Sequence, residues 1–183
     1  MTELARRGLV GVLLTVVVVM AGCAPLEESA GGSSAASMFG GGSGGRGEGT
    51  PAPPPAPPAG ELAVHFLDVG QGDATVVVAP DATMLIDTGR QDGGDVVAAL
   101  QDLGVSRIDV VAITHPHADH IGQLDDVLGA VDVDEVWMSG TVSTSQTFEE
   151  AISAVEASDA AYEEPRAGAH TTVGSLAVDV VHP

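Results

Sequence analysis

Hydrophobic and polar positions fall into short blocks from Glu61 onward. Leu62 to Leu67 reads as a strand that ends in the glycine-rich turn Asp68-Val69-Gly70-Gln71-Gly72-Asp73. Ala74 to Ala79 and Ala82 to Ile86 are two more apolar runs joined by Pro80-Asp81, the pattern of a β-hairpin. Asp92 or Asp95 caps a helix that runs through Leu103 and stops at Gly104. Val96, Val97, Leu100 and Leu103 share one helical face. Ile108 to Thr114 is, apart from Asp109, an apolar, β-branched run and predicts a central strand. Ile121 to Leu128 predicts a helix, Glu135 to Met138 a strand, and Thr147 with Glu150 a capping box opening a helix through Glu156. A loop is expected over Asp159 to Ala169 and a last strand over Leu176 to Val181. Strands alternating with helices predict a layered α/β (α+β) domain.

Before Glu61 the pattern changes. Arg6-Arg7, the apolar run Gly8 to Met20 and the small residues Ala21-Gly22 before Cys23 read as an export signal with a lipoprotein processing site. Cleavage before Cys23 and lipid attachment to its thiol would follow. The arginine pair fits export in the folded state by the twin-arginine route. An uncleaved membrane helix is the alternative, although the run is short of the roughly 20 residues that span a bilayer. Both readings place the rest of the chain on the outer face of the cell membrane, tethered to it. Cys23 is the sole cysteine, so no internal disulfide exists. Residues 24–60 read as a linker, flexible where Gly and Ser dominate and stiff from Pro51 to Pro58. The expected organisation is therefore signal and lipobox over 1–23, linker over 24–60 and folded domain over 61–183.

Charge adds a constraint. Asp and Glu number 26 against 6 basic residues, all Arg, for a formal net charge of −20. Such a surface self-repels in dilute buffer and suits strong brine. The expectation is a halophilic protein whose thermal midpoint rises with added salt; a flat midpoint up to molar salt would count against it. The acidity argues against long-range steering of nucleic acid, but screening in brine shortens the Debye length to about 3 Å and weakens that objection.

The candidate chemistry lies in His115-Pro116-His117-Ala118-Asp119-His120, which holds three of the chain's six histidines. Imidazole and carboxylate suit borderline metals such as Zn²⁺. On extended backbone His115 and His117 project to the same side. Asp119 and His120 follow where a helix should begin, close enough to serve a second point. That spacing suits two metals sharing one water.

These residues carry a family resemblance. Phe66 to Asp73 (FLDVGQGD), Leu85-Ile86-Asp87-Thr88-Gly89, and Ile113 to Gly122 with its HxHxDH core resemble the metallo-β-lactamase superfamily, and within it the hydrolase domain of the DNA-uptake protein ComEC. The resemblance covers Leu62 to the last residue. It implies an αββα sandwich of two similar halves, of which this sequence supplies the N-terminal one. It implies two divalent metals, Zn or Mn, with His115 and His117 on the first, Asp119 and His120 on the second, and Asp119 also orienting the water. Asp87 would steady the ligand loop, or is simply a strand-end turn former. Asp68 and Asp73 flank a turn beside the site, as turn carboxylates or as supporting groups. His65, His170 and His182 lack any ligand spacing.

The resemblance also implies metal-dependent hydrolysis of phosphodiester bonds in external DNA or nucleotides. Later elements of the family, a metal-bridging Gly-Asp and a Gly-His-His-Gly-Ser stretch, have no counterpart in the sequence. The alternatives are a fragment, a partner chain that completes the site, or a degenerate, non-catalytic surface protein. One face of the sheet is expected to lack cover.

Overall fold

The computed structural model describes residues 61–183 and, ahead of them, the backbone of one strand, β1 (Thr15–Val18). The signal, Cys23 and linker readings otherwise lie outside the described residues. The domain is built on β2 (Ala63–Phe66), β3 (Thr75–Ala79), β4 (Ala82–Ile86), α1 (Val96–Asp102), β5 (Arg107–Ile113), α2 (Ala118–Ile121), α3 (Leu124–Ala130), β6 (Asp132–Met138), α4 (Gln146–Ala157), β7 (Ala161–Glu163), β8 (His170–Val173) and β9 (Leu176–Val180).

A six-stranded mixed sheet runs in the order β2-β3-β4-β5-β6-β7. The β2, β3 and β4 pairings are antiparallel, whereas β4, β5, β6 and β7 run parallel. Parallel neighbours need crossovers, and α1, α3 and α4 supply them. Central strands of such a sheet are buried on both faces, hence their near-continuous apolar sequence. Along β5, Ile108, Val111 and Ile113 join one core with Val96, Leu100, Leu124, Val127, Ala151 and Val155 of the helices. Val110 and Ala112 point the other way, into a second core with Val77, Met84 and Trp137.

That second core corrects the expectation of a bare sheet face. Val173, Leu176 and Val178 from the hairpin β8–β9 pack on it. The hairpin is tied to the β3–β4 turn by Asp81, whose Oδ1 accepts from the backbone N (3.1 Å) and Oγ (2.6 Å) of Ser175. Those hydrogen bonds hold the Asp81 carboxyl below its ordinary pKa. On its other edge β9 pairs in parallel with β1, Thr15 lying beside Ala177.

Three local expectations are also corrected. The helix expected over Ile121 to Leu128 is two, α2 and α3, interrupted at Gly122-Gln123. The cap of α4 is Ser145, whose hydroxyl accepts from Phe148 N, so Thr147 lies inside the first turn instead of capping it. The Ser two residues upstream offers the same capping chemistry, and sequence spacing does not separate them. The loop expected over Asp159 to Ala169 contains β7, an exposed edge strand too short for a periodic signal, and β8 follows directly. No helix among the described residues is long and apolar enough to cross a membrane.

Candidate metal centre

The parallel strands β4 and β5 deliver their carboxyl ends side by side, the usual position of sites in open α/β sheets. β4 leads into Asp87-Thr88-Gly89 and β5 into Thr114 to His117. The next residues open α2, with His117 in extended conformation at its N-cap (φ −79°, ψ 148°).

Backbone hydrogen bonds lock three loops together. The carbonyl of Asp119 accepts from Asp73 N (3.2 Å), and that of His120 from Thr88 N (2.7 Å). Gly89 N donates to Asp73 O (2.8 Å), and Gly122 N donates to Gly89 O (2.8 Å). The approach at Gly72 is close enough that a Cβ there would lie 2.0 Å from the Asp119 carbonyl oxygen, and its φ is +113°. The Asp68–Asp73 turn, the Asp-Thr-Gly corner and the histidine loop are thus one backbone unit.

Three imidazoles gather on this unit. The ring centroids of His115 and His117 are 4.6 Å apart and nearly perpendicular; those of His115 and His120 are 4.0 Å apart. His120 Nε2 lies 3.9 Å from Asp119 Oδ1. His117 is exposed, and His115, Asp119 and His120 are half-buried.

Asp87 organises the group from behind. It is 2% exposed and holds a positive φ of 58°. Its Oδ1 accepts from Thr114 N (2.8 Å), and its Oδ2 accepts from Thr114 Oγ1 (2.7 Å) and from His120 Nδ1 (2.8 Å). Thr114 Oγ1 is also 3.0 Å from His115 Nδ1. The threonine hydroxyl has one proton and gives it to the Asp87 carboxylate, which when ionised can accept but not donate. His115 Nδ1 must therefore donate to Thr114, as His120 Nδ1 donates to Asp87. In their neutral forms both rings then carry the proton on Nδ1 and turn Nε2 away from Asp87, the arrangement that metal-ligating histidines adopt. Burial, followed by the charges of His120 and His117, pushes the His115 pKa down and favours its neutral form. The hydrogen bond to Asp87 pushes that of His120 up.

The donor types and the Nδ1 partners fit a borderline divalent metal. The side chains do not, however, close a ready-made site: no three His, Cys, Asp or Glu groups among the described residues converge on one metal position. The remaining candidates stand apart from this centre. Asp68 and Asp73 are exposed. Asp68 accepts from Gly70 N (3.4 Å), and Asp73 accepts from Thr75 Oγ1 (3.3 Å), while its charge still helps raise the His120 pKa. His170 pairs with Asp179 (2.5 Å), a surface contact, and neither His65 nor His182 joins the cluster.

Sequence reasoning overlooked Gln123 and Thr114. Gln123 is buried; its Oε1 accepts from Val96 N (3.0 Å), and its Nε2 donates to the carbonyls of Arg90 (2.8 Å) and Gly94 (2.9 Å). It thereby joins the start of α1 to the start of α3, filling the break after α2. A lone Gln in an amphipathic stretch gives no sign of this. Thr114 ends an apolar strand, where its hydroxyl looks like ordinary β-branched filler.

The fold is that of an α/β protein that gathers three imidazoles and a carboxylate at its parallel strand ends. A family model, that of the metallo-beta-lactamase superfamily, matches residues 67–181. The chain belongs to that superfamily, whose members typically bind divalent metals, commonly zinc. No curated protein matches the chain.

Proposed function

We propose that this chain is a metal-dependent hydrolase acting on phosphodiester bonds of external DNA or nucleotides. The observation that carries the reading is the Asp87–Thr114–His115/His120 network, which holds both rings through Nδ1 and so leaves each Nε2 available for a metal in the neutral ring, beside His117 and Asp119. His115 and His117 would hold one metal; Asp119 and His120 would hold a second. When bound, the metals supply an acidified water and charge stabilisation for the attacking and leaving oxygens. Asp119 would orient the attacking water as its proton acceptor. Asp87 and Thr114 keep the two rings in one tautomer. Preference for phosphodiesters over other bonds rests on the FLDVGQGD resemblance to ComEC-like domains. The N-terminal segment supports a location on the outer face of the cell membrane, held by lipid on Cys23 or by the apolar run itself; either would take Thr15–Val18 from its place beside β9.

The test is Zn²⁺- or Mn²⁺-dependent cleavage of single-stranded DNA in high salt, with His117→Ala and Asp119→Ala alongside. Loss of a metal ligand should lower the rate about 100-fold or more. Equal rates in wild type and both variants would refute the reading.

One observation favours a second reading, a non-catalytic surface protein: no three ligand groups converge among the described residues. Four donors shared between two metals also leave coordination positions to be filled, by a partner chain or by further residues. A metal count on the purified protein separates the readings. About two metals per chain supports the hydrolase, and none supports the non-catalytic protein.

A further inference from the structure

A cleft of about 310 Å³ adjoins the histidine loop, lined by Arg90, Gln91, Asp92, Ala118 and Thr147. Ala118 sits between His117 and Asp119, so the cleft opens beside the candidate metal ligands. Its one cation is Arg90. The other arginines of the described residues are committed elsewhere: Arg107 to Asp132 and Asp134, Arg166 to Glu164 and the Ser139 carbonyl.

Arg90 is held differently. Its backbone carbonyl is pinned by Gln123 Nε2 (2.8 Å) and Gly93 N (2.9 Å). Its side chain meets only Asp92 among the described residues, through Nε at 2.5 Å, and both groups are exposed. The terminal NH₂ groups of the guanidinium therefore meet no acceptor among the described residues. Arginine presents this planar fork to phosphate better than any other side chain. On a chain of net charge −20, an anionic substrate meets net repulsion, so a cation at the cleft matters. At high salt, screening removes long-range attraction and leaves only direct contact to bind an anion.

We infer that this cleft receives a phosphate of a nucleic-acid strand flanking the bond that is cut, with Arg90 as its anchor and a determinant of specificity. The inference rests on the phosphodiesterase reading of the neighbouring centre. Asp92 competes for the same guanidinium and tunes the contact. Arg90 binds substrate and takes no part in bond breaking.

The experiment compares Arg90→Gln and Asp92→Asn with wild type, as full chains in high salt with Mn²⁺. The substrates are oligothymidylate, which has flanking phosphates, and bis(p-nitrophenyl) phosphate, which has none. Arg90→Gln should raise KM for oligothymidylate about tenfold with little change in kcat, the loss of one charge-assisted contact. It should leave bis(p-nitrophenyl) phosphate unaffected, and Asp92→Asn should lower the oligothymidylate KM. A second readout needs no catalysis: inorganic phosphate titrated into the metal-free protein should shift the NMR signals of Arg90, Gln91 and Thr147, and Arg90→Gln should abolish those shifts. An unchanged KM in Arg90→Gln while wild type cleaves, or phosphate shifts that survive the substitution, overturns the anchor. Phosphate shifts lost in Arg90→Gln, together with absence of cleavage by wild type, would support the anion cleft while removing the hydrolase reading.

Discussion

Asp87→Ala should lower the unfolding free energy by about 3–4 kcal/mol, read from urea midpoints on the metal-free protein. The carboxylate is buried and accepts three hydrogen bonds. Its removal strands the Thr114 N–H, at about 1–3 kcal/mol for an unmet buried donor, and deletes a charge-assisted bond to His120. Alanine would also have to hold a φ of 58°, which a residue without a short polar side chain resists. Asp87→Asn separates geometry from charge, because asparagine tolerates that backbone and still offers an acceptor to Thr114. The pH dependence gives a second, independent signal. The folded-state pKa of His120 is raised above its ordinary value, chiefly by the hydrogen bond to Asp87. Its stabilisation is therefore fully present below the unfolded value near 6.5 and is lost as pH rises through the higher folded pKa. Asp87→Asn should lose that slope, whereas wild type keeps it. Matching stability–pH curves for the two proteins would show that Asp87 does not hold His120.

Gly72→Ala should be about as damaging, roughly 3–5 kcal/mol, although it adds only a methyl group. That methyl would sit 2.0 Å from the Asp119 carbonyl oxygen, on backbone at φ +113°. Neither partner can yield cheaply, since both are main chain and Asp73 N already donates to the same oxygen. Relief requires the turn and the start of α2 to separate, which moves Asp119 and His120. Metal affinity should fall with stability, by about 10- to 100-fold, as for other losses of support around ligands. Gly70→Ala is the control. Its φ is +71°, but among the described residues no atom outside its chain neighbours lies within 4 Å of the added carbon, so only the backbone cost of about 1–2 kcal/mol remains. Equal effects of the two substitutions, by thermal melt and zinc titration, would mean that the close approach at Gly72 does not govern the site.

Much of this arrangement is visible in the sequence because the hydrophobic pattern and the turn residues agree. The run Ile108 to Thr114 announces a central strand, which the structure has over Arg107–Ile113, and of the two caps the sequence offers, Asp92 and Asp95, the structure uses Asp95. The family itself is legible from three short motifs, since each needs particular glycines and carboxylates at a fixed spacing. What the sequence hides is long-range. Nothing local says that Gln123 reaches back to Val96 and Gly94, or that Asp81 holds Ser175, 94 residues further along the chain. The strand β7 is too short and too exposed to give alternation, so its region reads as loop, and β8 just after it gives no strand signal for the same reason. Within the candidate site, the sequence names the imidazoles but not the direction of their protons, which depends on Thr114 bridging His115 to Asp87.

The hairpin β8–β9 has a practical consequence. Trp137 is the chain's single tryptophan, is buried in the core beneath that hairpin, and donates its Nε1–H to Glu135 Oε2 (2.7 Å). The indole is therefore a built-in optical probe of the layer under β8–β9. Its emission reports whether the hairpin is seated, while the histidine loop is followed by metal uptake, so undocking of one layer can be watched separately from events at the strand ends.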